Sequence, residues 1–373
     1  MTGERALFVA YESHLRGKGG VQVCTSEFIA ALETVGFALE ILPVAPDRRI
    51  TTRALRRVNA SPYFRPLSAS SLAAIRERAL GAQFIFLNQM NLLGGLVPQD
   101  FRGVPAIAIS HGCELTDQLH LARLHKTLPL STGQLRPYPT LALARTLRDE
   151  VAARVKVEGV IAISPFDADC ERWLGTSRVC WIPRTIVPAI MPRQPKWGRF
   201  GYVGTLDHAP NLEGLVAILH ELERRKASDI VVRVVGGPES IGQWLAAHHR
   251  AIDYLGPLDD DALAVEATSW NGFVHPIFCL PRGCSTKLAG ALSWGLPIIT
   301  TSLGRRGYEW REGGVIEVET AKAFVDAMAR LTHADAEQEA ANAVQAAALS
   351  TPTLLEVACS ISHFLKPTER ANT

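Results

Sequence analysis

The stretch HPIFCLPRGCSTKLAGALSWGLPIITTSLGRRG, residues 275–307, decides how the chain is read. It leaves an apolar run, GFVHP (272–276), passes through a loop carrying Arg282 and Gly283, and enters a helix-like segment from about Ser285 to Trp294. A second apolar run, PIITT (297–301), follows at once. Strand, loop, helix and strand in roughly thirty residues make a βαβ unit, whose loop and helix N-terminus lie at the carboxyl end of the first strand. Free N–H groups, the helix dipole and the charges of Arg282 and Lys287 then converge on a diphosphate-shaped site. Two solvated surface cations remain the bland alternative.

The same rhythm runs outward in both directions. Apolar runs ALFVAY (6–11), ALEILPV (38–44), FIFLN (84–88), AIAIS (106–110) and VIAIS (160–164) alternate with helix-like segments such as Val21–Val35 and Leu141–Val155. Strands of a parallel sheet are buried on both faces and therefore read as nearly continuous apolar runs. Residues 183–199, PRTIVPAIMPRQPKWGR, hold four prolines and suit an extended linker. Beyond them come FGYVG (200–204), a helix from about Asn211, DIVVRVVGG (229–237) and IDYLG (252–256). The expectation is an α/β chain of two Rossmann-like, doubly wound parallel-sheet domains, 1–185 and 186–351, facing across a cleft. Residues 352–373 are read as a helix and tail packing back on the first domain, and the alanine-rich 334–348 as an exposed helix.

Composition removes several function classes. The 373 residues are 47% hydrophobic and 20% charged, too long a chain for one ordinary core. Lys+Arg (39) and Asp+Glu (37) leave a net +2, without the basic field that nonspecific nucleic-acid binding needs. No uncharged apolar run approaches the roughly 18–20 residues of a spanning helix, and MTGERALFVAYE does not read as a signal peptide. A cytoplasmic protein is expected. Arg48, Arg49, Arg53, Arg56 and Arg57, near Phe64, allow at most peripheral contact with the inner face of the plasma membrane. The seven cysteines form no CxxC pair and read as buried or incidental thiols.

Other segments carry candidate chemistry. SHLRGKGGVQVCTSEFIAAL (13–32) places Gly17, Gly19 and Gly20 between a strand and a helix, where backbone N–H groups face an anion, although it is neither GxGxxG nor GxxxxGK[ST]. In AIAISHGCELT (106–116), His111 and Glu114 follow a strand, so His111 is placed to meet a sugar hydroxyl or a phosphate oxygen. His14, His208 and His275 make weaker candidates. Gly204, Gly236, Gly237 and Gly256 sit at strand ends bordering the same region of the second domain.

Five stretches, in order, carry a resemblance: GKGGVQ (17–22), VIAISPFDADCERWLG (160–175), YVGTLDHAPNLEGL (202–215), VVRVVGGPES (231–240) followed by IDYLGPL (252–258), and GCSTKLAGALSWGLPIITTSLGRRG (283–307). FVDAMARL (324–331) adds to it. Together they resemble retaining glycosyltransferases of family 4, built on the two-domain GT-B fold. The resemblance implies transfer of a sugar from a nucleotide-sugar donor to a glycan, glycolipid or natural-product acceptor, with retention, no metal ion and no further cofactor. By position it puts Gly19 and Gly20 near the donor phosphates and His111 near the transferred sugar or the acceptor. It puts Gly204, Thr205 and Gly236 at the donor site, Tyr254 and Leu255 beside the base, and Gly283, Cys284, Ser285 and Thr286 in the loop holding sugar and diphosphate. Arg282 and Lys287 join His111 as the catalytic candidates, and loops 88–96 and 112–140 would meet the acceptor.

The departures are specific. The family's two glutamates, eight positions apart, fall on Arg282 and Gly290 when GLP (295–297) is aligned, and the Arg and Lys usual after the second domain's first strand are replaced by GTLDHAPNLEG (204–214). A catalytically inactive GT-B partner in glycan assembly, and a nucleotide-sugar epimerase, are therefore the competing readings. Donor base, sugar, acceptor and oligomeric state leave no signature in the chain.

Overall fold

The computed structural model describes residues 3–17, 19–59, 61–127 and 140–366. It divides into two compact units. One comprises Met1–Leu115, Pro139–Thr185 and Pro352–Thr373, the other Thr116–Tyr138 and Ile186–Thr351.

The first unit holds a six-stranded parallel sheet of β1 (Arg5–Tyr11), β2 (Ala38–Val44), β3 (Phe84–Asn88), β4 (Ala106–Ser110), β5 (Gly159–Ala162) and β6 (Val179–Trp181), in the order β2-β1-β3-β4-β5-β6. Its connections carry α1 (Glu12–Leu15), α2 (Gly20–Val35), α3 (Ile50–Asn59), α4 (Ala69–Ala79), α5 (Glu114–Thr127), α6 (Thr140–Arg154) and α7 (Pro165–Trp173). Central β1 pairs with β2 from Arg5↔Ala38 to Tyr11↔Val44, and with β3 from Ala6↔Phe84 to Val9↔Leu87. Every β1 residue from Ala6 to Tyr11 and all of β4 are buried, which is why these strands are unbroken apolar runs. The run 160–164 ends early as a strand. Ser164 turns the chain into α7, its hydroxyl accepting the Asp167 N–H at 3.0 Å. Strand β6 is three residues long, too short for an apolar-run reading to find.

The second unit repeats the plan with β7 (Arg199–Val203), β8 (Val231–Val235), β9 (Ile252–Gly256), β10 (Gly272–His275), β11 (Ile298–Thr300) and β12 (Ile316–Glu317), parallel in the order β12-β11-β10-β7-β8-β9. Its helices, beside the residues of α5 from Thr116 onward, are α8 (Ala209–Arg225), α9 (Glu239–His248), α10 (Asp260–Ala267), α11 (Thr286–Trp294), α12 (Ser302–Arg305), α13 (Ala321–Leu331) and α14 (Ala334–Leu349). Along α8, Leu212, Leu215, Ile218, Leu219 and Leu222 recur at helical spacing and are all buried against Phe200, Val232, Phe324 and Met328. Burial of each such side chain stabilises by about 2 kcal/mol. Gly214 lets this helix reach the sheet end, because a Cβ there would lie 1.6 Å from the Pro276 carbonyl oxygen.

One helix differs from expectation. Residues 334–348 do form α14, but Glu337, Ala341, Val344, Ala347 and Ala348 are buried. Small alanines let it lie close beside α11 and α13, so a face without large apolar residues is nonetheless interior. The last helix, α15 (Leu354–Leu365), groups with the first unit, where it packs against α2 and Arg178 donates to the Phe364 and Lys366 carbonyls. Among the described residues no single helix is long and apolar enough to cross a membrane.

Candidate functional site

Each sheet has one place where the chain's direction of travel reverses: between β1 and β3 in the first unit, and between β7 and β10 in the second. Loops leaving adjacent strands there diverge to opposite sides, which opens a crevice at the carboxyl ends.

In the second unit, Gly204 follows β7 and its N–H donates to the Val235 carbonyl at 3.0 Å. Gly236 follows β8 with φ +137°, and a Cβ there would sit 1.9 Å from the Gly204 carbonyl oxygen, so the two turns touch through bare backbone. Thr205 is exposed, with its carbonyl held by Asn211 Nδ2 at 2.9 Å. The Tyr254 hydroxyl donates to the Gly236 carbonyl at 2.9 Å, while its ring covers Gly242. Leu255 turns to the opposite side of the sheet, beside Val203 and Leu258. Tyr254 and Leu255 thus serve the packing of β9.

On the β10 side, Ser285 caps α11, its hydroxyl accepting the Leu288 N–H at 3.4 Å, and the Tyr308 hydroxyl donates to the Ser285 carbonyl. Gly283, Cys284, Ser285 and Thr286 form the approach to this helix, and Lys287 lies in its first turn. Burial holds the Lys287 ammonium below the ordinary lysine range, and no anion among the described residues pairs with it. His275 ends β10 and is fully buried, its Nδ1 3.1 Å from Thr300 Oγ1. Burial first, then the charges of Arg306 and Lys287, push its imidazole down to about 3. Arg306 is itself buried, donating to the carbonyls of Leu303 (2.7 Å) and Arg282 (3.0 Å). A neutral ring with two desolvated cations in its field is an electropositive site.

Arg282 is engaged elsewhere. Its Nη1 donates to Asp117 Oδ2 at 3.1 Å, and His208 Nε2 lies 3.7 Å from Oδ1 of the same carboxylate. Burial alone would raise Asp117, but His208 and Arg282 outweigh it and hold the carboxyl below its usual range. His120 Nε2 is 2.8 Å from the Leu280 carbonyl, and its ring stands edge-on to His208 at 5.8 Å. Arg282 is thus paired with Asp117, while the charges of Arg306 and Lys287 both reach His275.

In the first unit, Gly20 opens α2 with Gly19 at its cap and no side-chain cap bond, leaving the first N–H groups of a sixteen-residue helix to a ligand or solvent. Lys18, between these glycines and Gly17, lies outside the described residues, as do 128–139 of the expected acceptor loops and the side chain of Arg57. His111 is buried, with Nε2 2.8 Å from Asn88 Oδ1. Asn88 Nδ2 donates to Thr25 Oγ1 at 2.8 Å, and Thr25 donates to the Val21 carbonyl at 2.7 Å. Because the Asn88 amide nitrogen is committed to Thr25, its oxygen is the acceptor, and His111 carries its proton on Nε2. Beneath this turn, Arg154 joins the buried carboxylates Glu150 and Glu171, each at 2.8 Å. Ser110 Oγ donates to Glu171 at 2.6 Å, and the Leu115 N–H donates to Glu150 at 3.0 Å. The 110–115 turn is thereby fixed from below.

Sequence reasoning missed Asp117, Arg306, Asn88 and the Arg154 network. Only Asn88 had a readable signal, a polar residue closing the apolar run FIFLN. None of the seven cysteines is in a disulfide. Among the described residues, no group of three or more His, Cys, Asp or Glu side chains is placed to hold a metal ion.

Residues 198–334 match the family model described as Glycosyl transferases group 1. None of the curated proteins matches the chain in sequence. Similar solved structures include sucrose-phosphate synthase from Thermosynechococcus elongatus, at TM-score 0.60 and 15% identity over 96% of this chain and 98% of that one. Anabaena HepE, in complex with UDP and glucose, has TM-score 0.59 and 13% identity over 96% and 98%. WaaG, a glycosyltransferase involved in lipopolysaccharide biosynthesis, has TM-score 0.57 and 15% identity over 97% and 100%. The chain thus has the α/β fold of the GT-B glycosyltransferases, and its residues 198–334 are similar to the glycosyl transferases group 1 family.

Proposed function

We propose that the protein is a retaining glycosyltransferase of the family 4 type, taking a sugar from a nucleoside diphosphate donor to a hydroxyl of a glycan, glycolipid or natural-product acceptor, without a metal at the diphosphate. The observation that supports it best is Lys287. An ammonium stripped of water with no carboxylate beside it is costly in the folded chain, and the cost is offset when an anion binds. Its place in the first turn of α11, with Arg306 nearby, suits a diphosphate leaving group.

In this reading the bond between the anomeric carbon and the diphosphate oxygen breaks as charge gathers on the diphosphate. Lys287, Arg306 and the N–H groups of 285–287 stabilise that charge. The acceptor oxygen bonds to the same carbon on the face just vacated, and its proton passes to the departing diphosphate. His111, held by Asn88, orients the acceptor. Gly204, Thr205 and Gly236 border the donor, with Arg282 acting through Asp117. A cytoplasmic location, with peripheral membrane contact through α3, belongs to the same proposal: Ile50 and Leu55 are exposed among Arg48, Arg49 and Arg53.

The test is a thermal-shift screen against UDP, GDP, dTDP, ADP and CMP without added metal. One diphosphate should raise the melting temperature in the wild type and fail to do so in Lys287→Ala. No response to any of them from folded protein at millimolar ligand rejects donor binding. It would favour the second reading, an inactive GT-B partner, for which the observation is Gly290: nothing lies within 4 Å of a Cβ there, so crowding does not require the glycine at this position.

A further inference from the structure

The reversal point of the first unit's sheet gathers a second polar cluster that the donor chemistry does not use. Tyr11 ends β1, Asn91 follows β3 and Glu114 follows β4, while Arg65 comes from the segment between α3 and α4. Tyr11 is only 2% exposed and Asn91 6%, and both are short of hydrogen bonds. Asn91 Nδ2 donates to Glu114 Oε1 at 3.0 Å, yet its Oδ1 has no donor among the described residues. The Tyr11 hydroxyl meets the Arg65 side chain without good hydrogen-bonding geometry, and the buried Arg65 Nε has no partner among the described residues. Buried polar atoms are almost always satisfied, so the unmatched Asn91 Oδ1 and the poorly aligned Tyr11–Arg65 pair call for a ligand that matches them.

The charges say what kind. The Arg65 guanidinium lies over the Tyr11 ring, 4.5 Å from its centroid, and the charge of Arg56 also reaches the hydroxyl. Neither arginine has a carboxylate partner among the described residues. The Tyr11 phenol is pushed up to about 12, chiefly by burial, with Arg65 and Arg56 pulling it down and Glu114 pushing it up. It is therefore a neutral donor lying between two cations and one carboxylate. Separately, Gln89, the residue linking β3 to Asn91, has φ +92°, a backbone region that a side chain occupies only when its surroundings force it. Such residues collect at ligand sites.

We infer that this cluster is a subsite for an acceptor that carries an anionic group on a hydroxylated ring, a phosphate or a carboxylate: Arg65, Arg56 and the Tyr11 hydroxyl take the anion, and Asn91 Oδ1 with Glu114 takes ring hydroxyls. Glu114 repels the anion from its own side and so orients the ring. The inference rests on the glycosyltransferase reading for the word acceptor, but its binding chemistry stands alone.

Isothermal titration of the full chain with glucose 6-phosphate, glucuronate, glucose and inorganic phosphate tests it, with UDP titrated separately on every variant. The expected result is that one of the two anionic sugars binds at least about tenfold more tightly than glucose and than inorganic phosphate. Which one it is separates phosphate from carboxylate recognition. Arg65→Gln should abolish that preference, and Asn91→Ala should weaken the anionic sugar while leaving inorganic phosphate unchanged, both with UDP affinity intact. Equal affinity for glucose and the anionic sugars, no binding of either anionic sugar, an unaltered preference in Arg65→Gln, or displacement of the anionic sugar by UDP each overturns the inference. If UDP fails to bind the wild type while the anionic sugar behaves as described, the donor reading falls and the subsite stands.

Discussion

Arg282 Nη1 donates to Asp117 Oδ2 across 3.1 Å, so the cation of the loop before α11 is neutralised by a carboxylate from α5. Lys287, five positions later, has no such partner among the described residues. The two cations that look equivalent in sequence are thus in opposite electrostatic states, and they should respond oppositely to removal of charge.

Lys287→Met is expected to raise thermal stability by about 1 kcal/mol, because a desolvated, uncompensated charge is replaced by an apolar chain of similar shape. The same change should weaken nucleoside diphosphate binding at least about tenfold. The folded-state pKa lies below the unfolded 10.5, so the penalty is present at neutral pH and fades as pH rises toward 10.5. Denaturation of both proteins across that range should show the gap closing.

Asp117→Asn removes the carboxylate to which Arg282 donates. A loss of about 1 kcal/mol is expected, modest because the carboxylate is partly exposed. Since the folded carboxyl titrates below its unfolded value, the pair stabilises above roughly pH 4. That contribution is lost as pH falls through the folded pKa, so the difference between wild type and variant should vanish in acid.

His275 sits at about 3 against 6.5 when unfolded. The unfolded chain therefore takes up a proton that the folded one refuses, and stability falls as pH drops from about 6.5 toward 3, by an amount on the order of a few kcal/mol. His275→Asn should flatten that acid limb in urea titrations, whatever it costs at neutral pH. An unchanged limb would place the ring in contact with solvent.

Arg154→Met removes the single cation between Glu150 and Glu171 and leaves two buried carboxylates facing each other. A loss of about 3–5 kcal/mol is expected. Arg154→Lys should recover less than half, since one ammonium cannot reproduce the forked contacts to Glu171. Chemical denaturation with a probe near the 110–115 turn would read both effects.

The strands were legible for a physical reason. A parallel strand covered on both faces favours apolar side chains along its length, and FIFLN and AIAIS are found as strands at the residues where their composition breaks. The start of α11 near Ser285 and the extended segment after Pro183 were legible too, because helix starts and prolines are set by the backbone locally. Burial of α14 was not, since alanine suits a crowded interior as well as an exposed face.

What the sequence by itself determined was the alternation of strand and helix and the loops in which charged residues fall. These follow from short-range backbone preferences and from the period of apolar residues. Only tertiary structure decided which of those charges are spent and which remain. Asp117 and Arg282 are separated by 165 positions, and Ser110 and Glu171 by 61, so no local pattern records their meeting. An ion pair is created by proximity and desolvation, both of which the chain acquires only when each unit has folded.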